Sequence, residues 1–170
     1  MSFETLIIVL CLIALASFVL NFVFNQHYEK GQVLEVLDGD SIVVTTSKQK
    51  NGVKVRLLNI DAPETGSNWF QASERFARQS SRYLEKRLKP RTQIYLEYDR
   101  QKWDEFGRLL AFVYLAKSGR SVNADLVRRG YAFYKPHKHN KKHQKQFEKL
   151  EAQAKQYKAG LWQYYREGKH

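Results

Sequence analysis

Between Thr5 and Phe24 the chain runs for twenty residues, TLIIVLCLIALASFVLNFVF, without one charged side chain. A helix over that run rises about 1.5 Å per residue and spans ~30 Å, the hydrocarbon thickness of a bilayer. A run of that kind cannot share a core with a small domain, so it divides the chain. Residues 1–25 read as an N-terminal transmembrane anchor, 26–31 as a linker, 32–165 as one globular domain and 166–170 as a tail. Ala14-Leu15-Ala16 resembles a cleavage site, and a cleaved secretion signal is the rival reading. No Lys or Arg precedes the apolar core, however, and the run continues past Ala16. A single-pass membrane protein is the preferred expectation. Glu4 before the run, with His27 and Lys30 after it, leans towards a cytoplasmic domain without fixing the side.

The remainder is strongly basic. The chain holds 29 Lys and Arg against 17 Asp and Glu, a net charge of +12. That balance points to a polyanion, either nucleic acid or anionic lipid, and no protein partner is expected. The single cysteine, Cys11, lies in the apolar run, which excludes a disulfide scaffold for the domain.

Alternation and turn residues predict strands over Gln32–Leu37, Ser41–Thr46 and Val53–Ile60, the last ended by Pro63. Ala72, Phe76, Ser80, Leu84 and Leu88 recur every four residues and predict an amphipathic helix that stops before Pro90. Two more strands follow at Gln93–Asp99 and Leu109–Leu115. A short helix over Asn123–Arg129 would take Asn123 as its N-cap and Gly130 past its end. Phe147, Leu150, Ala154, Tyr157 and Leu161 predict a last helix near Asn140–Lys158. Strands that do not alternate regularly with helices exclude a parallel βαβ sheet. The expected fold is α+β: a five-stranded OB-type β-barrel with three helices, preceded by the N-terminal transmembrane helix.

Three clusters carry chemistry: Asp38-Gly39-Asp40, Arg56-Leu-Leu-Asn-Ile-Asp61-Ala62-Pro63-Glu64 and Asp104-Glu105-Phe106-Gly107-Arg108. Asp40, Asp61 and Glu64 are oxygen donors of the kind hard cations prefer. Arg56 and Arg108 offer planar forks suited to phosphate. Taken singly, each residue also has a bland reading. Asp38-Gly39 is also a turn signal, Asp61 also suits the end of a strand, and the arginines also suit surface ion pairs with Asp61 or Asp104. His137, His139 and His143 have no cysteine or acidic companion nearby and are surrounded by lysines, so a basic loop is preferred there over a zinc site.

The clusters together resemble the staphylococcal nuclease (thermonuclease) family. The resemblance rests on Asp38-Gly39-Asp40-Ser41, Arg56-Leu57-Leu58-x-Ile60-Asp61-x-Pro63-Glu64-Thr65, Asp104-x-Phe106-Gly107-Arg108-x-Leu110-Ala111 and Asn123-x-x-Leu126-Val127-x-x-Gly130. It covers residues from about Val33 to Trp162. It implies a calcium-dependent endonuclease that hydrolyses DNA or RNA phosphodiesters with little sequence specificity, leaving 3′-phosphates. Asp40, Asp61 and the Ala62 carbonyl would bind Ca²⁺. Glu64 would orient or deprotonate the attacking water, and Arg56 and Arg108 would grip the phosphate. Glu105-Phe106 departs from the Lys-Tyr pair of the best-known member. Tyr134, with Phe133 and Lys135 beside it, would contact nucleic acid. Two further readings stand beside the nuclease: a tethered OB module that binds nucleic acid without catalysis, and a membrane-surface protein that binds anionic lipid.

Overall fold

The computed structural model describes residues 2–64, 66 and 73–165; of residues 4 and 20–27 it describes the backbone alone. Strand β1 (Tyr28–Val36) pairs antiparallel with β2 (Ser41–Thr46), and β2 pairs antiparallel with β3 (Val53–Leu57). A second strand pair, β5 (Gln93–Glu97) and β6 (Leu109–Leu115), is also antiparallel. The barrel closes because β3 runs parallel to β6 while β5 returns to β1, giving the order β1-β2-β3-β6-β5. Closure removes the exposed sheet edges that would invite association. The inward positions form one core, with Ile42, Val44, Val55, Leu57, Leu96, Leu109 and Phe112 almost without solvent contact.

The apolar spacing of the first domain helix is realised in α2 (Ser73–Arg87), whose buried residues are Ser73, Phe76, Ala77, Ser80 and Leu84. Ala72, at the start of that pattern, and Thr65 lie outside the described residues. Helices α3 (Val122–Arg128) and α4 (Gln144–Gln156) follow β6, with a 3-10 turn at Gly160–Gln163. Counting α1 (Phe3–His27), the described residues hold four α-helices, three of them in the barrel domain.

The structure shifts four sequence expectations. Where 26–31 was expected as a linker, α1 runs to His27 and β1 begins at Tyr28. The strand expected over Val53–Ile60 ends at Leu57, since Asn59 adopts a left-handed φ of 60° that turns the chain into the two-residue β4 (Ile60–Asp61). The N-cap of α3 is Ser121, whose hydroxyl accepts the Ala124 amide at 3.2 Å. Asn123 is instead fully buried, its amide bonded to the backbone of Leu58, Ala111 and Val113. Helix α4 starts at Gln144 rather than Asn140 because His143, at φ 61°, interrupts helical geometry.

The transmembrane status expected of Thr5–Phe24 is not carried by the fold as described: among the described residues no helix is long and apolar enough to cross a membrane. What is described is a helix whose side chains from Thr5 to Val19 are exposed to solvent.

Candidate nuclease site

The turn between β1 and β2 delivers the first acid. The Asp38 carboxylate accepts the Asp40 amide at 2.9 Å and fixes the turn. Gly39 is required for close approach: a Cβ there would lie 2.6 Å from Cβ of Ala62 and 2.7 Å from Cβ of Ser80 on α2. Asp40 is thereby pressed into the protein, 8% exposed. Its Oδ2 accepts the Ala62 amide at 2.9 Å and its Oδ1 accepts the Ser41 hydroxyl at 3.1 Å.

Arg56 stands at the end of the β2–β3 ladder, paired in register with Ser41. Its Nη2 lies 3.0 Å from Oδ2 of Asp40 and 2.8 Å from Oδ1 of Asp61, so one nitrogen bridges two carboxylates. Its Nη1 donates to the carbonyls of Ile60, at 3.0 Å, and Leu57, at 3.2 Å. The guanidinium is therefore held flat against the chain it helps to turn. Burial pushes the Asp40 carboxyl up to about 6, with Asp38 adding to the rise, against the lowering effects of Arg56, the Ala62 amide and Ser41.

A contact across the fold completes the cluster. Phe133–Tyr134 (β7) pairs antiparallel with β4, matching Asp61 with Phe133 and Ile60 with Tyr134. Lys135 then donates from Nζ to Oδ2 of Asp61 at 2.8 Å, and its amide donates to the Asn59 carbonyl. The Tyr134 amide donates to Glu151 on α4 at 2.8 Å. The Tyr134 ring is half-buried, 6.2 Å from Phe147. Phe133 packs into a separate aromatic group, 5.2 Å from the rings of both Trp162 and Tyr165.

Arg108 lies in the loop entering β6, two residues before Leu110, the β6 partner of Arg56. Its Nε donates to Oδ2 of Asp104 at 2.7 Å, and its amide donates to Oδ1 at 2.8 Å. Its guanidinium centre lies 5.4 Å from the centroid of the Phe106 ring. Among the described residues no hydrogen bond or ion pair joins Arg108 to Asp40, Arg56 or Asp61. Glu64 is exposed and likewise unpaired among them. No group of three His, Cys, Asp or Glu residues is poised to hold a metal among the described residues. Asp40 and Asp61 are thus brought together, with the Ala62 amide tied to Asp40, while Glu64 and Arg108 make no hydrogen bond or ion pair with them among the described residues.

One cluster was not legible from the sequence. Glu97, 6% exposed at the end of β5, accepts from Tyr114 at 2.7 Å and from Lys142 at 3.2 Å, and pairs with His143 at 2.8 Å. Burial opposes its ionisation, but the His143 and Tyr114 hydrogen bonds, the charge of His143 and the Lys142 bond bring its carboxyl down to about 2. An acid ending an apolar strand was the available signal, and nothing in spacing linked it to residues 142 and 143.

A closed five-stranded barrel presenting buried carboxylates beside fixed guanidinium groups defines a basic OB-type domain built to meet anions. Residues 54–164 match the family described as Staphylococcal nuclease homologue, and the chain belongs to that family. It is 32% identical over 139 residues to a thermonuclease of Staphylococcus hyicus, covering 81% of this chain and 78% of that one. It is 36% identical over 143 residues to Endonuclease YhcR of Bacillus subtilis, covering 80% of this chain but 11% of that protein. A thermonuclease of Staphylococcus intermedius is 30% identical over 131 residues, 77% of this chain and 74% of the relative. These relatives support a nuclease, and hence hydrolase, function for the chain.

Proposed function

We infer that the protein is a calcium-dependent endonuclease that cleaves DNA or RNA phosphodiesters with little sequence preference, leaves 3′-phosphates, and is tethered to a membrane by α1. The observation that carries the catalytic part is the single Arg56 nitrogen shared by Asp40 and Asp61. Two carboxylates of this kind, one with its pKa raised by burial, fit a hard divalent cation in an all-oxygen set. Asp40, Asp61 and the Ala62 carbonyl would hold it. When bound, the cation supplies positive charge to a phosphoryl oxygen of the substrate.

The chain's own groups do the rest. Arg56 has Nη1 on the Leu57 and Ile60 carbonyls and Nη2 on Asp40 and Asp61, and would grip the scissile phosphate once a cation takes over the two acids. Arg108, oriented by Asp104, adds a second guanidinium for the charge that grows as the phosphorus becomes five-coordinate. Glu64, exposed and unpaired among the described residues, accepts a proton from the attacking water or orients it. Tyr134, Lys135 and Phe133 flank the Asp61 side and contact the nucleic acid.

Digestion of DNA by the full chain in detergent, followed as acid-soluble nucleotide, tests this reading. Release with Ca²⁺ that stops on adding excess EGTA is expected; release indifferent to EGTA would remove the calcium part. Arg108→Ala should cost about 2–4 kcal/mol of transition-state stabilisation, a fall in kcat/KM of roughly thirty- to a thousandfold. Tight gel-shift binding without cleavage in any divalent metal would replace the enzyme with a binding module. The tether rests on the sequence alone, the twenty uncharged residues from Thr5 to Phe24. Extraction of cell membranes at alkaline pH should leave the protein in the pellet.

A further inference from the structure

A second cationic site lies on the outer face of α2, away from the acids. Arg87 and Arg129 sit against the same ring, their guanidinium centres 5.6 Å and 5.5 Å from the centroid of Tyr83. Tyr83 is itself fixed, with Tyr131 5.3 Å away and its hydroxyl 3.5 Å from Oδ2 of Asp125. Asp125 is already neutralised by Arg128 and faced by Arg120. Neither Arg87 nor Arg129 has a carboxylate partner among the described residues. Arg82 and Lys86 border the same cleft, whose volume is about 620 Å³. Arg87 also borders an adjoining cleft of about 650 Å³ that carries Lys117 and Arg120. Two guanidinium groups held on an aromatic ring keep their N–H edges free and lose little entropy when an oxyanion arrives.

Helix α2 connects this cleft with the acids. Its Ser80 touches the Gly39 turn, donates to the Phe76 carbonyl at 2.8 Å and also donates to the Tyr131 carbonyl. Arg87 follows Ser80 by two helical turns, about 10 Å along the axis. We propose that the Arg87–Tyr83–Arg129 cleft is a second binding site of the protein, an exosite for the phosphodiester backbone of a single nucleic-acid strand. This rests on nucleic acid being the ligand of the chain and adds a place where a strand is held outside the cleavage point. The unpaired charge and the aromatic between the cations match a strand's repeating phosphates.

The test uses the full chain in neutral detergent and a fluorescein-labelled thirty-nucleotide thymidine strand, with anisotropy read in EGTA. Arg87→Ala/Arg129→Ala should weaken binding about tenfold and make the log–log salt slope less negative by about 1.4, the signature of two lost phosphate contacts. Hydrolysis of tetrathymidylate in Ca²⁺ should stay within twofold of the unaltered chain, because so short a strand gains nothing from a second hold. Unchanged strand affinity and salt slope would overturn the exosite. Should the double alanine variant lose its circular-dichroism signal, Arg82→Gln/Lys86→Gln on the exposed face gives the same reading, in the same direction. If the unaltered chain cleaves nothing in any divalent metal, the nuclease reading fails, yet the anisotropy comparison still decides the cleft. Loss of preference for phosphatidylglycerol over phosphatidylcholine vesicles, with strand affinity retained, would assign the cleft to a membrane surface and overturn the proposal.

Discussion

Two buried residues show how single side chains set this site. Gly39 faces Ala62 and Ser80 at distances no Cβ tolerates, so Gly39→Ala must push either the acid turn or α2 outward. Overpacking of this sort costs about 1–3 kcal/mol, which urea denaturation would register, and displacement of Asp40 should lower cleavage beyond what lost stability explains. Asn123 is buried completely and serves three backbone groups: its Oδ1 accepts the Val113 amide at 2.9 Å, and its Nδ2 donates to the carbonyls of Leu58 and Ala111. Asn123→Ala takes this partner from the buried Val113 amide and Leu58 carbonyl, while the Ala111 carbonyl keeps the Leu58 amide, and a loss of roughly 1–3 kcal/mol is expected. The residue is visible in the sequence as a motif position, but its expected role as a helix cap was displaced by Ser121. Both residues suit a cap locally, and only the depth of α3 against β6 made the amide more useful inside.

Helix α4 packs along its length through Phe147, Leu150 and Ala154 and is also fastened at its start. His143 and Lys142 clasp Glu97, the Asp99 carboxylate accepts the Lys142 amide at 2.8 Å, and buried Asn140 exchanges hydrogen bonds with the backbone of Gln101. The basic segment expected as a loop is therefore docked on the barrel at Asn140, Lys142 and His143. An unperturbed glutamate titrates near 4.3, and Glu97 in the fold titrates at about 2. A depressed acid contributes stability that is complete above about pH 5 and is lost as pH falls through 2. That contribution is on the order of 3 kcal/mol. Urea midpoints should thus fall between pH 5 and pH 2, and Glu97→Gln, weaker at neutral pH, should show a flatter profile over the same range. A variant profile as steep as that of the native chain would show that Glu97 is not the responsible group.

Over the whole molecule, a net charge of +12 and an apolar α1 act at different ranges. The charge attracts a polyanion over about a Debye length, so strand binding should weaken as salt rises even where no contact changes. The exposed apolar helix adds nothing to that attraction and is expected to govern where the protein sits. Removing residues 1–27 should move it from the pelleted to the supernatant fraction while leaving digestion of DNA in solution intact. A protein that stays pelleted without α1 would point to the basic face as the membrane contact.

What the sequence determined by itself is periodic or local: the strands of the barrel, the apolar faces of α2 and α4, and the pairing of acids with arginines in short motifs. Alternation and helical spacing record burial directly, because each inward residue must be apolar wherever it sits. Tertiary structure decided everything that joins distant segments. Pairing of β7 with β4 brought Lys135 to Asp61, seventy-four positions away in the chain. The bend at Asn59 shortened β3, and the loop entering β6 ties Arg108 to Asp104, an ion pair the sequence offered beside its reading as a phosphate ligand. Ion pairs and buried amides carry no period, and their partners are chosen by which backbones meet in space.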